Sequence, residues 1–184
     1  MIQGVPEGVR PTAGRVREAL FSMVGQALQG WSCLDAFGGT GLLGFEAASR
    51  GAGPVCIVEQ SRPVARQIIA RAAALGLAPP RLVVMIDDAE RVLASGVWDL
   101  VILDPPYAED PAPWVLRGAA AARRVLVVEH RAGAEVPERA GALVLDRSRT
   151  YGSSALAVYR PGALAELEEA GEVGQDAGVV EDQG

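Results

Sequence analysis

The chain has 184 residues, 49% of them hydrophobic, 22% charged and 5% aromatic, with a formal net charge of −6 at pH 7. This suits one domain with a sizeable core built mainly of Ala, Val and Leu. No apolar run approaches the roughly 20 residues of a membrane helix and no charged leader with an apolar core opens the chain, so the expectation is a cytoplasmic protein with no membrane partner.

The acids are unevenly placed. Residues 161–184 hold seven and no base, whereas residues 1–160 hold 16 acids against 17 bases, all of them Arg. The body is near neutral, which is compatible with a nucleic-acid partner without demanding one.

Residues 1–10 form a short polar start broken by Gly4, Pro6 and Gly8. Val16, Ala19, Leu20, Met23, Val24, Ala27 and Leu28 then repeat at helical spacing, which predicts a helix with Thr12 as N-cap and Gly30 as its stop. Arg10, Arg15 and Arg17 crowd its first turns. Cations are unfavourable at the positive end of a helix, which favours a phosphate clamp over a solvated helix end.

Trp31–Phe37 reads as a first strand, Gly38–Gly41 as a glycine turn, and Leu42–Arg50 as a helix stopped by Gly51. Val55–Glu59 is a second strand ending in an acid. Ser61 caps a helix running to about Leu75, with Pro63 in its first turn. Cys33 and Cys56 lie in apolar runs without a CxxC partner and read as buried, reduced thiols.

A third strand, Arg81–Ile86, ends in Asp87-Asp88. Asp88 suits both the N-cap of a short helix, Ala89–Ala94, and an acceptor for an adenine amino group. The apolar run Trp98–Leu103 halts at Asp104-Pro105-Pro106-Tyr107, a strand opening into a rigid acidic loop. Pro113–Ala122 reads as a helix, and Arg124–Glu129, Gly141–Asp146 and Ser154–Tyr159 as three further strands. The short link through Arg147, Arg149 and Tyr151 makes the last two an antiparallel hairpin. His130 reads as a strand-end residue, and one His cannot build a metal cluster, so no metal is expected. Residues 161–184 read as a flexible acidic tail with one helical turn around Leu164–Ala170.

Strand, glycine turn, helix, and strand with a terminal carboxylate form the unit that binds a nucleoside cofactor. Gly39-Thr-Gly41-Leu-Leu-Gly44 matches the dinucleotide fingerprint, so a nicotinamide or flavin dinucleotide competes for it. Asp35, at the end of the first strand and facing the glycine turn, would repel a pyrophosphate and attract a methionyl ammonium, which points to S-adenosylmethionine. Glu59 suits the ribose hydroxyls of either cofactor. In the acidic loop, the Asp104 carboxylate and the Pro105 carbonyl can accept from one exocyclic amino group, while Tyr107 offers a flat face to a base. An aromatic amino nitrogen is a poor nucleophile because its lone pair is delocalised. Two acceptors aimed at its hydrogens favour the pyramidal form that can attack a methyl group.

Arg10 to Met23, Leu34-Asp-Ala-Phe-Gly-Gly-Thr-Gly-Leu-Leu-Gly-Phe-Glu-Ala-Ala-Ser-Arg-Gly-Ala52, Asp104-Pro-Pro-Tyr107 and the late Tyr151-Gly-Ser-Ser-Ala-Leu156 together resemble the bacterial 16S ribosomal RNA guanine-N2 methyltransferase family, which modifies guanine 966. The likeness covers about residues 9–160. It implies an α/β, Rossmann-like class I methyltransferase fold: a seven-stranded, mostly parallel sheet with an antiparallel last strand and helices on both faces. The domain would span residues 11–160, between the short start and the acidic tail.

The resemblance also implies S-adenosylmethionine held by Asp35, Phe37, Gly38, Gly39, Thr40, Gly41, Glu59, Gln60, Asp88 and Ala89. Asp104, Pro105, Pro106 and Tyr107 would be catalytic, and Arg10, Thr12, Arg15, Arg17, Arg149 and Tyr151 would meet 16S rRNA or the assembling small ribosomal subunit. A monomer is expected. Two features depart from the family pattern: nine residues precede Arg10 where members carry a basic hairpin, and Gly14 stands where Asp is frequent. Three other readings remain at this stage: a DNA adenine amino-methyltransferase, though with no visible target-recognition domain; a dinucleotide oxidoreductase, though with no clear hydride-transfer residue; and an RNA chaperone that binds the cofactor without turnover.

Overall fold

The computed structural model describes residues 11–162. In chain order it contains α1 (Pro11–Val24), β1 (Cys33–Asp35), α2 (Leu42–Ser49), β2 (Val55–Val58), α3 (Arg62–Ala74), β3 (Leu82–Met85), α4 (Ala89–Leu93), β4 (Trp98–Leu103), α5 (Pro111–Ala121), β5 (Ala122–Arg131), β6 (Arg139–Ala140), β7 (Leu143–Tyr151) and β8 (Ser154–Pro161). The strands form one sheet in the order β3-β2-β1-β4-β5-β8-β7-β6. β1 to β5 pair in parallel, and β8 enters antiparallel between β5 and β7. The predicted α/β architecture with a reversed last strand is observed, with eight strands among the described residues instead of seven.

The central strands are apolar throughout because both faces are covered, yet their side chains still alternate between two cores. Cys33, Leu100, Ile102, Val125 and Val127 pack with α1, α2 and α3. Leu34, Val101, Leu103, Leu126 and Val128 pack with α4 and α5. Gly118 of α5 allows the helix to sit against this second core, since a Cβ there would lie 2.6 Å from Leu126 Cδ1 and 2.7 Å from Leu103 Cδ1. Both cysteines are buried and free, as expected. No described helix is long and apolar enough to cross a membrane.

Several boundaries differ from the sequence reading. The first helix starts at Pro11, where the missing N–H costs nothing, so Thr12 lies inside the first turn and is not the N-cap. It ends at Val24 because Gly25 takes a φ of 135°; Leu28 is fully buried from the following loop, its N–H donating to the Arg50 carbonyl at 3.0 Å. The first strand is only three residues long, since the chain turns into the glycine loop beyond Asp35. The fifth helix begins at Pro111, two residues early, behind an Asp110 cap that accepts from Ala112 N. Arg147, Arg149 and Tyr151 lie within β7 and pair with Val158, Leu156 and Ser154; the hairpin turns beyond them, at Gly152. The acidic tail beyond Gly162 lies outside the described residues.

The hairpin also holds α1. Arg160 on β8 donates through Nη2 to the carbonyls of Met23 at 3.0 Å and Val24 at 3.1 Å, the last two residues of the helix, while its Nε lies 3.3 Å from Asp146 Oδ2. A guanidinium at the negative end of a helix satisfies carbonyls that have no partner within the helix. We predict that Arg160→Ala lowers unfolding free energy by about 1–3 kcal/mol in urea titrations, and that Arg160→Lys recovers only part, because one ammonium cannot reproduce the planar fork.

Candidate active site

The strand order reverses at β1, with β2 on one side and β4 on the other, so the loops after β1 and β4 diverge and leave a crevice at the carboxyl ends of the strands. The loop after β1 is shaped by glycine. Gly39 and Gly41 take φ of 51° and 75°, and a Cβ on Gly38 would come within 2.8 Å of Ile57 Cγ2 and 2.9 Å of the Val58 carbonyl. At Gly44 a Cβ would come within 2.5 Å of Ile57 Cγ1. These contacts let the start of α2 lie directly on β2. The Thr40 carbonyl accepts from Arg71 at 2.9 Å.

Asp35 lies under this loop. It is 1% exposed; its Oδ2 accepts from Gly44 N at 3.0 Å, and its Oδ1 is buried with no hydrogen-bond partner. Its pKa is pushed up to about 7, first by burial and further by the negative charges of Asp104 and Glu59. The N–H of Gly44, and that of Phe37 facing the carboxylate without closing a hydrogen bond, oppose the rise.

Glu59 links two elements: Oε2 accepts from Gly39 N at 2.9 Å and Oε1 from Ser61 N at 2.7 Å. Ser61 is the N-cap of α3 by position, but its side chain makes no capping bond; Glu59 holds the N–H of the cap residue itself. Asp88 is the N-cap of α4, with Oδ1 accepting from Glu90 N at 2.8 Å and Arg91 N at 3.4 Å. Asp87 pairs with Arg91 at 3.3 Å.

The crevice is a cleft of about 500 Å³. Of the residues expected to hold a cofactor, Phe37, Gly39, Glu59, Gln60, Asp88 and Ala89 line it; Asp35, Gly38 and Gly41 are buried outside that lining, and Thr40 is exposed outside it. From the loop after β4, Asp104 and Pro106 reach the same cleft, while Pro105 is buried. Tyr107 faces an adjoining depression of about 480 Å³, lined also by Glu109, Asp110, Arg131 and Glu135. Its hydroxyl donates to Glu129 Oε1 at 2.7 Å and also contacts Ser154 Oγ. Although Asp104 is open to the cleft, desolvation by the walls and the charge of Glu129 push its pKa up to about 7.

The cleft presents six carboxylates, on Glu59, Asp87, Asp88, Glu90, Asp104 and Glu109, and no basic side chain lines it among the described residues. Such a surface repels phosphate and attracts cations. The orphaned Oδ1 of Asp35 beneath it, and a glycine turn with little side-chain bulk at its mouth, fit a ligand with a cationic head and no phosphate.

Sequence reading missed one wall of this cleft. Trp114 of α5 donates to Glu109 Oε2 at 2.7 Å and meets Phe37 edge-on, ring centroids 4.9 Å apart. The sequence reading placed it only within a helix over Pro113–Ala122. His130 is buried on β5, Nδ1 at 3.0 Å from the Arg131 carbonyl, with burial holding its pKa below the usual value. Among the residues expected to meet RNA, Arg15 and Arg149 are exposed, Arg17 lies 3.7 Å from Glu46, and the Tyr151 hydroxyl points to Met23 Sδ at 4.0 Å. Arg10 and the side chain of Thr12 lie outside the described residues.

Residues 2–160 match the family model described as Conserved hypothetical protein 95. The chain belongs to that family. A relative in Bacillus subtilis (strain 168), provisionally named rRNA methyltransferase YlbH, is 32% identical over 161 residues, 82% of this chain and 87% of its own. Ribosomal RNA small subunit methyltransferase D of Escherichia coli (strain K12) is 38% identical over 102 residues, 54% of this chain and 50% of its own. Among solved structures, Escherichia coli yhhF, provisionally described as a methyltransferase, gives a TM-score of 0.73 at 30% identity over 87% of this chain and 91% of that one. SMU.776, a provisionally described methyltransferase solved with SAH, gives 0.67 at 13% identity over 86% of this chain and 51% of that one, and shows the fold. The family resemblance read from the sequence holds, and the fold is that of the S-adenosylmethionine-dependent methyltransferases.

Burying Asp35 has a sign that can be measured. Its folded-state pKa lies above the usual carboxylate value, so the native state binds the extra proton and stability falls as pH rises from about 4 through 7. In the ligand-free protein we predict that Asp35→Asn is more stable than the unaltered chain at pH 8, by a few kcal/mol in denaturant titrations, and that the gain vanishes near pH 4. The same variant should bind S-adenosylmethionine about 10- to 100-fold more weakly by calorimetry, through loss of one charge-assisted contact.

Proposed function

We propose that this chain transfers a methyl group from S-adenosylmethionine to the exocyclic N2 amino group of a guanine in small-subunit (16S) ribosomal RNA, free or in the assembling subunit. The observation that carries the reading is the convergence of Asp104 and Pro106 on a cleft whose lining, among the described residues, is acidic and free of bases. A dinucleotide would bring two phosphates to those carboxylates, so the oxidoreductase reading fails on electrostatics.

In this reading Asp35 and the Gly38–Gly41 turn receive the methionyl end, Glu59 and Gln60 the ribose, and Asp88, Ala89 and Phe37 the adenine. When bound, S-adenosylmethionine supplies an electrophilic methyl on a sulfonium. The chain's own part begins with Asp104 and the Pro105 carbonyl, which hold the two amino hydrogens of the base and keep its nitrogen lone pair out of conjugation. A nitrogen that gains a methyl must lose one proton, and Asp104, as a carboxylate, is placed to take it; a raised pKa makes it a better base. Tyr107 supports the face of a base turned out of the RNA. Arg10, Thr12, Arg15 and Arg17 from the start of the chain, with Arg149 and Tyr151 from the last hairpin, carry the contacts to RNA. The relatives named as rRNA methyltransferases support RNA as the substrate over DNA.

Because Asp104 must be ionised to accept, kcat/KM should climb with pH through about 7 and level off above it. Asp104→Asn keeps the shape but removes the base, and should lower turnover by about 100- to 10,000-fold while cofactor binding persists. The check is methyl-labelled cofactor incubated with small subunits, free rRNA and DNA, followed by nucleoside analysis. N2-methylguanosine in RNA is the expected product. Label in adenine or DNA, or undiminished activity of Asp104→Asn, would overturn the assignment.

A further inference from the structure

Tyr107 stands on a loop and is 40% exposed, yet its ring is not free to swing. Its hydroxyl reaches across 22 residues of sequence to Glu129 Oε1 at 2.7 Å and across 47 to Ser154 Oγ. Glu129 pairs with Leu156 and Arg131 with Ser154 across the β5–β8 ladder, so Glu129 and Ser154 are diagonal neighbours on one face of the sheet. Neither residue lines the cofactor cleft.

The hydrogen count fixes the direction of the chain. An ionised carboxylate only accepts, so the single phenolic hydrogen goes to Glu129, and the Ser154 hydroxyl then donates to the Tyr107 oxygen. Ser154 is 6% exposed, so this end of the chain is sheltered from water. The phenol pKa is pushed up to about 12, so the hydroxyl keeps its proton at neutral pH.

We propose that Glu129 and Ser154 are positioning residues for the target base, pinning the Tyr107 ring from its hydroxyl end so that the stacking face is set before RNA arrives. This rests on the reading above that Tyr107 supports the methylated base. A ring ordered in advance loses little freedom when the base stacks on it, so the pin acts on RNA binding more than on the chemical step.

Glu129 has a second, separable effect. The acids that share the cleft with Asp104 are Glu59 after β2, Asp87, Asp88 and Glu90 around the start of α4, and Glu109 on its own loop; Asp35 at the end of β1 and Glu129 on β5 lie outside that lining and act by their charge. After burial, the charge of Glu129 raises the proton affinity of Asp104, and the repulsion between Asp104 and Asp35 acts on both. Removing its charge without removing its shape should let Asp104 ionise at lower pH.

The test uses the full chain, S-adenosylmethionine and 16S rRNA or small subunits, whichever the unaltered protein methylates. Glu129→Ala and Tyr107→Phe should each raise KM for RNA about 3- to 10-fold with a smaller change in kcat. The double variant should be no worse than Tyr107→Phe alone, since both changes cut one link. Glu129→Gln still offers an acceptor, so it should keep the KM near that of the unaltered chain while its acid limb of kcat/KM moves to lower pH. Should Glu129→Ala fail to fold, Glu129→Gln and Tyr107→Phe carry the test. Additive effects in the double variant, or an unchanged KM for RNA in Glu129→Ala, would overturn the positioning role while leaving the methyltransferase reading intact, and an unmoved acid limb in Glu129→Gln would overturn the effect of its charge on Asp104. No methylation of RNA by the unaltered chain would overturn that reading, and this inference with it.

Discussion

Negative charge held at the crossing point of the sheet, with no positive charge to balance it, is the constraint around which the rest is arranged. Asp35 and Asp104 end the adjacent parallel strands β1 and β4, and both have pKa values pushed up to about 7. The chain has 17 arginines, yet none of those described lines the cleft between these acids. A fold selected only for stability would neutralise such a site or fill it with apolar side chains. Leaving Asp35 Oδ1 buried and unpartnered is a standing cost, which the proposed methionyl ammonium would relieve.

That cost is tolerated because the surrounding scaffold is stiff. β1, β4 and β5 alternate between two apolar layers, so a shift of one residue would exchange their faces. The glycines at 38 and 44 let α2 press on β2 closely enough for the Gly44 N–H to reach Asp35. Glu59 fastens the glycine turn to the start of α3, and Asp88 fastens the end of β3 to α4. The carboxylates best suited to a nucleoside are thus also the acceptors that hold the cleft in shape. Altering one changes both ligand contacts and loop geometry.

This arrangement explains what was legible in the sequence. β4 was read to the residue because its apolar run is bounded by Gly96 and by Asp104-Pro-Pro, which no strand continues through. Asp35, Glu59 and Asp104 were visible as acids that end apolar runs. The end of α1 was not, since Leu28 keeps helical spacing while packing from a loop. The second half of β7 escaped because Arg147 to Thr150 are exposed on both faces, so a stretch held only by its ladder carries no period-two signal. Trp114, Glu129 and Ser154 were missed for another reason: their partners are set by β5–β8 pairing and by the approach of α5, which no local spacing encodes.

Charge separation gives the proposed reaction its geometry. The exposed arginines at 15, 147 and 149 lie on α1 and β7, outside the cleft, and Arg160 joins those two parts by holding the end of α1 to the last hairpin. Among the described residues, the charged side chains of the cleft are all carboxylates. An RNA backbone would be drawn to the first surface and repelled from the second. A phosphate therefore cannot follow its nucleoside to Asp104. Only an uncharged part of the polymer can, and the part of a nucleotide that is both uncharged and free to rotate away from the backbone is the base. In the proposed reaction, turning the base out of the chain is then what the electrostatics of the site favour. Tyr107, at the edge of the cleft with its hydroxyl already anchored, lies on that boundary.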